Sequence, residues 1–232
     1  AVGNLEHSHV RRLVEERFGH LSSMGAGLAD TAPSVTSKIL IRNKELEQSH
    51  VCVGTPAYQQ DHPDRHAAYV LNTLLGGSMS SRLFQNIRGK RGLAYAVFSG
   101  LSAYRDAGSF TIYAGCANEA VGEVVDLVVE ELRTVKQAPV PAAELQRAKD
   151  HLKGSLMLGL ENTASRMSLV ARQEIYFGRH VGLDETLQGI EVVTPEDVQR
   201  VAADLFGTGA LSATVLGNVD GLHLPPERLD LQ

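Results

Sequence analysis

Apolar residues recur along this chain at two spacings, and each change of spacing marks a new element. Val10, Leu13, Val14 and Phe18 share one side of a helix from about His7 to Phe18, with Gly19 as its stop. The residues before it read as a strand end and a turn. A stretch containing Gly, Ala, Ser and Pro, residues 22–35, follows as a connector. Alternation then predicts two strands, "SKILIRN" and "SHVCVGTPA", with Ile39 and Ile41, then Val51 and Val53, facing inward. "HPDRHAAYVLNTLLGG" has helical spacing, with Pro63 in its first turn and Gly76 and Gly77 at its exit. A shorter helix, about 80–90, begins at Ser80 or Ser81. "LAYAVFSGLSAY" and "GSFTIYAGC" return to period two around a turn at 105–108.

The second half is mostly helical. Asn118 caps an amphipathic helix to about Lys136, with Val121, Val124, Val125, Val128, Leu132 and Val135 on one face. Pro141 opens a helical region to about Phe177, broken near 154–163. Thr194 and Pro195 start another helix, and "LSATVLGNV" is a closing strand. Strands and helices come in blocks, not in strict alternation. That predicts an α+β fold: a largely antiparallel or mixed sheet with helices packed on one face. "AVGNLEH" near the start echoes "TVLGNVDG" at 214–221, each a strand end, Gly-Asn and an acidic turn. If the second closes a domain, the first closes an earlier, related one. The layout expected is 1–21 as the end of a preceding homologous domain, 22–35 as linker, and 36–232 as the domain proper.

With 232 residues, the chain can bury a sizeable core. A net charge of −5 argues against a general nucleic-acid partner. No apolar run approaches the ~18 residues that cross a bilayer, and no secretory leader opens the chain. A soluble protein, cytoplasmic or periplasmic, is the expectation. Cys52 and Cys116 cannot form a CxxC knuckle, and read as buried free thiols or as one disulfide.

Chemistry is sparse. Lys90 follows Gly89, but the glycine five residues earlier and the Ser/Thr of a P-loop are missing. No nucleophile–base set is visible to support an unrelated small-molecule enzyme. His62 and His66 stand four apart, as zinc ligands on a helix would. Arg65, however, occupies the place where H-x-x-E-H has its glutamate, and a cation there repels the metal. The least ordinary stretch is 82–91, where Arg82, Arg88, Lys90 and Arg91 gather with no acid. Arg88 falls to the side of a buried stripe of Leu83, Phe84 and Ile87, so its stem can pack while its head projects. Tyr95, between Ala94 and Ala96, is left accessible.

Three segments together resemble the C-terminal, metal-free domain of the pitrilysin/insulinase family of zinc metallopeptidases, which includes the processing peptidases. They are "LLGGSMSSRLFQNIRGKRGLAYAVFSG", "GSFTIYAGCANEAVGEVVDLVVEEL" and "ELQRAKDHLKGSLMLGLENTASRM". The resemblance implies a bacterial-type half of a clam shell whose other half carries H-x-x-E-H and a later glutamate ligand. Here Lys149, Asp150 and His151 stand in place of that later acidic run, which suits the inactive half. It also implies that Arg88 and Tyr95, seven residues apart, hold a substrate peptide opposite a zinc site on the partner domain or chain. No zinc is expected in this chain, and the fragment itself is expected to be inactive. Its parent is expected to be a zinc metalloendopeptidase, with homo- or heterodimer formation open. The alternative is a catalytically dead scaffold or assembly subunit of the same fold. Without the resemblance, Arg88 paired with a core-edge acid and Tyr95 in packing is the plain reading.

Overall fold

In β2 (Ser49–Ala57), alternation sends Ser49, Val51, Val53 and Thr55 to a buried face and His50, Cys52 and Gly54 to the other. The same rule divides β4 (Gly108–Cys116), where Phe110, Ile112 and Ala114 are buried and Thr111 is exposed. The computed structural model describes residues 1–22, 31–207 and 209–231, and the expected linker at 22–35 falls largely on 23–30, outside them. One five-stranded sheet carries the fold, in the order β1-β5-β2-β4-β3. β1 (Ile39–Asn43) runs parallel to β5 (Ser212–Gly217), and the other neighbours, including β3 (Ala94–Ala103), are antiparallel. The mixed, largely antiparallel sheet matches the block pattern of the sequence.

Helices α2 (Arg65–Leu75), α3 (Val121–Gln137), α4 (Ala142–Gly159) and α7 (Pro195–Leu205) bury their apolar stripes with the inner strand face in one continuous core. α7 starts at Thr194 and Pro195, as the sequence predicts, and opens on a capping box between Thr194 and Asp197. Gly76 ends α2 where the helix meets β3. A Cβ there would collide with the Ser99 amide nitrogen, and the Ser99 hydroxyl bonds the Asn72 carbonyl at 3.1 Å.

Several details depart from the sequence pattern. α2 begins at Arg65 and not near Pro63, because the Asp64 amide donates to His62 Nδ1 and closes a turn ahead of the helix. Asn118 does not cap a helix. Its Oδ1 accepts from Ser49 Oγ at 2.7 Å, and a short 3-10 turn over Asn118–Ala120 leads into α3. Gly19, after α1 (His7–Phe18), has an ordinary right-handed backbone and not a left-handed one. Helix α6 (Leu183–Glu191) was not anticipated. α5 (Thr163–Phe177) buries only Gln173, and α1 buries nothing. Among the described residues no helix is long and apolar enough to cross a membrane.

Candidate functional site

The cations of 82–91 divide into structural and unengaged groups. Arg82 forms a two-pronged pair with Glu144 of α4, at 2.7 and 2.8 Å, with Glu131 of α3 at 4.0 Å. The hydrogen bonds it donates to Glu144 hold the Arg82 guanidinium more firmly protonated. Burial pushes the Glu131 carboxyl above the usual range, against the opposing hydrogen bond from Asn86. Lys90 Nζ reaches Asn86 Oδ1 and Arg91 Nη1 reaches the Asn86 carbonyl, both at 3.1 Å. Arg82 therefore takes the acid pairing that Arg88 might have had.

Arg88 is held by rings. Its guanidinium carbon lies 5.0 Å from the Phe84 ring centroid and 5.3 Å from that of Tyr95. Among the described residues its guanidinium has no ion pair and no hydrogen bond, and Tyr95 is 78% exposed. Sequence reasoning placed Phe84 in the buried stripe; it is half-buried and forms the second wall of the stack. The four-residue separation of Phe84 and Arg88 was the available signal.

Two backbone irregularities set this geometry. Residues Phe84–Gly89 form a π-helical turn, with the Lys90 amide bonded to the Gln85 carbonyl at 2.8 Å. Leu83 and Ile87 remain fully buried and Arg88 is exposed. Strand β3 then carries a bulge: Ala94 pairs with Cys116 and Ala96 with Gly115, so Tyr95 is an extra residue. Counting back from buried Val97, strict alternation would turn Tyr95 inward. The bulge instead keeps it on the outer face, toward Arg88. The sequence gives no periodic sign of this.

Gly92 links the two irregularities with φ +65, and a Cβ there would meet open space. Its requirement is therefore conformational alone. Gly92→Ala is expected to lower the unfolding free energy by about 1–2 kcal/mol in urea titration. A loss well under that would mean the backbone does not need the left-handed conformation.

The arrangement offers a planar fork of N–H donors, a phenol that donates and accepts, and two ring faces. The outer face continues through Phe98, whose ring is 5.0 Å from that of Tyr113; Tyr113 in turn shares a 2.7 Å hydrogen bond with His50 Nδ1. Both aromatics pack on the outer sheet face.

The paired histidines do not form a metal site. His62 stacks on Tyr58 at 3.8 Å, outside the helix, while the His66 ring bonds the Gly189 backbone. Burial, then the charge of Arg65, lowers the His66 pKa. At the second place, Lys149 donates to the Glu191 carbonyl at 2.6 Å and Gln146 donates to Asp150 at 2.9 Å. No group of three or more His, Cys, Asp or Glu among the described residues could hold a metal ion. These residues do not fit zinc, and no chemistry of this chain is routed through it. Cys52 and Cys116 are both free, and burial pushes the Cys116 thiol up to about 11.

A family profile described as the peptidase M16 inactive domain matches residues 1–152. A Bacillus subtilis protein named uncharacterized zinc protease YmxG is 39% identical over 88% of this chain and 50% of its own length. A Mycobacterium bovis protein, also named an uncharacterized zinc protease, is 37% identical over 99% of this chain and 53% of its own. The chain thus spans about half the length of the curated relatives it matches. A solved peptidase M16 inactive domain from Pseudomonas fluorescens superposes with TM-score 0.84 at 21% identity, over 96% of this chain and 54% of that one. A chain of complex III from Candida albicans gives TM-score 0.86 at 17% identity, over 98% and 56%; at such identities the likeness concerns the fold.

Proposed function

Because the chain belongs to the peptidase M16 inactive-domain family, we propose that it is the non-catalytic, substrate-holding domain of a zinc-dependent endopeptidase. Arg88 and Tyr95 grip an extended peptide, and a zinc site on a homologous domain or chain supplies the activated water. The observation carrying this reading is the Arg88–Tyr95 stack at 5.3 Å, exposed and without a polar partner in the chain among the described residues. A guanidinium fork donates to peptide carbonyls, and a phenol can do so or accept from an amide. Neither reads side chains, so the grip suits many sequences.

The same proposal covers the layout. Residues 1–21 close a preceding homologous domain, 22–35 link it to the rest, and 36–232 form the holding domain. Supporting this, Leu13, Val14 and Phe18 lie on one side of α1 at 42, 50 and 59% exposure, a stripe suited to burial against another domain. A scaffold of the same fold would leave the Arg88–Tyr95 pair without a task, which favours the holding role.

Photo-crosslinking tests the reading. An extended peptide bearing benzoylphenylalanine, illuminated with the chain and its zinc-bearing counterpart, should attach within residues 84–98. Attachment confined to other segments would overturn the grip and favour the scaffold.

A further inference from the structure

Helices α2, α4, α5 and α6 line a partly open cavity of about 290 Å3, whose lining includes no residue between 84 and 98. Its walls are apolar, with Leu152 and Leu156 from α4, Leu169 from α5 and Ile190 from α6. Its ionisable lining is basic or phenolic. Arg65 and His66 come from α2 and Arg172 from α5, and no aspartate or glutamate lines it, although the chain carries −5 overall. Arg82, Arg179, Arg200 and Arg228 each close on a carboxylate. Among the described residues Arg65 and Arg172 do not. Arg65 reaches the His62 carbonyl at 3.3 Å and the Phe177 ring and feels the charge of Glu185, which is itself paired with Arg179, while Arg172 reaches the Ser168 carbonyl at 3.4 Å. Both keep N–H donors for an anion.

Two polar lining groups, Gln173 and Thr186, are already engaged within the chain. The Gln173 amide donates to the Val181 carbonyl at 2.8 Å and accepts from the Val181 amide at 3.2 Å. The Thr186 hydroxyl donates to the Gly182 carbonyl at 3.2 Å. A peptide would have to desolvate several N–H and C=O groups against leucine walls, whereas a hydrocarbon body has no such groups to desolvate.

We infer that this cavity binds a small aliphatic monocarboxylate, its carboxylate held by Arg65 and Arg172 and its body laid against the leucines. At the packing density of protein interiors, the volume of about 290 Å3 holds about a dozen non-hydrogen atoms, the size of a medium-chain fatty-acid anion. Burial and the charge of Arg65 lower the His66 pKa, so the two guanidiniums carry most of the positive charge. The inference does not depend on the peptide-holding role, since the two sites share no residue.

Titration of the 232-residue chain with octanoate tests it, followed by calorimetry and by the methyl signals of Leu152, Leu156, Leu169 and Ile190. Saturable one-to-one binding is expected, with shifts centred on those methyls. Octanoate should bind about tenfold or more weakly to the R65Q/R172Q double variant. 1-Octanol should bind wild type about tenfold more weakly than octanoate and should not distinguish the two proteins. Absence of saturable shifts in the wild-type chain overturns the site, whatever the variant's folding. Octanol binding as well as octanoate, or octanoate affinity unchanged in the variant, overturns the carboxylate. A leucine-terminated tetrapeptide binding as tightly as octanoate overturns the ligand class.

Discussion

Replacing Arg88 and Tyr95 together by alanine is expected to lower kcat/KM for peptide hydrolysis by on the order of 100-fold in the assembly with the zinc-bearing counterpart. A hydrogen bond from a charged group to a peptide carbonyl contributes about 1.5–3 kcal/mol, and one from a neutral phenol about 1 kcal/mol. The two groups touch each other, so their losses should not add simply. Zinc content should be unchanged, because neither residue lies among candidate metal ligands. Unfolding free energy should move little, since both side chains are exposed and neither forms an ion pair among the described residues. Arg88→Lys keeps the charge without the fork and should recover only part of the loss. Wild-type turnover by the double variant would end the grip hypothesis, while leaving the family membership intact.

The second large effect concerns the core. Phe110 of β4 and Phe206 just past α7 are 1% and 0% exposed, with rings edge to face at 5.4 Å. Phe110 therefore ties β4 to the helical layer. Phe110→Ala is expected to reduce the unfolding free energy by about 3–5 kcal/mol, from lost transfer energy and the cavity left behind. For a chain of this size that corresponds to a fall of roughly 10 °C in the thermal midpoint. Urea titration should show a shifted midpoint at nearly constant slope. A loss under about 1 kcal/mol would mean that the sheet and α7 are not close-packed there.

How much of this was legible depends on what each feature leaves in the sequence. β2 and β4 were readable because one face of each is buried, so alternation records their register. α7 announced itself through Thr194 and Pro195. α6 did not: its N-cap is Gly182, without a side-chain cap, and Ile190 is its only buried residue. The bulge at Tyr95 was invisible, since one additional residue leaves ordinary alternation on either side. Arg82 and Arg88 look equivalent in a basic run. Only the fold brings Glu144, 62 positions away, to Arg82 and leaves Arg88 to the rings. The pair Arg88 and Tyr95 was picked out by family resemblance, whereas the stacking between them is a property of the folded chain.

Strand order has a consequence for how the molecule is made. β5 sits between β1 and β2, yet about 170 residues separate β1 from it along the chain. At translation speeds of about 5–20 residues per second, β1 waits on the order of ten to thirty seconds before its neighbour leaves the ribosome. Throughout that interval the nascent chain exposes one open border of β2 and an orphan strand. Early translation pausing, or a stop codon ahead of residue 212, would leave a polypeptide prone to capture by chaperones or by its own copies.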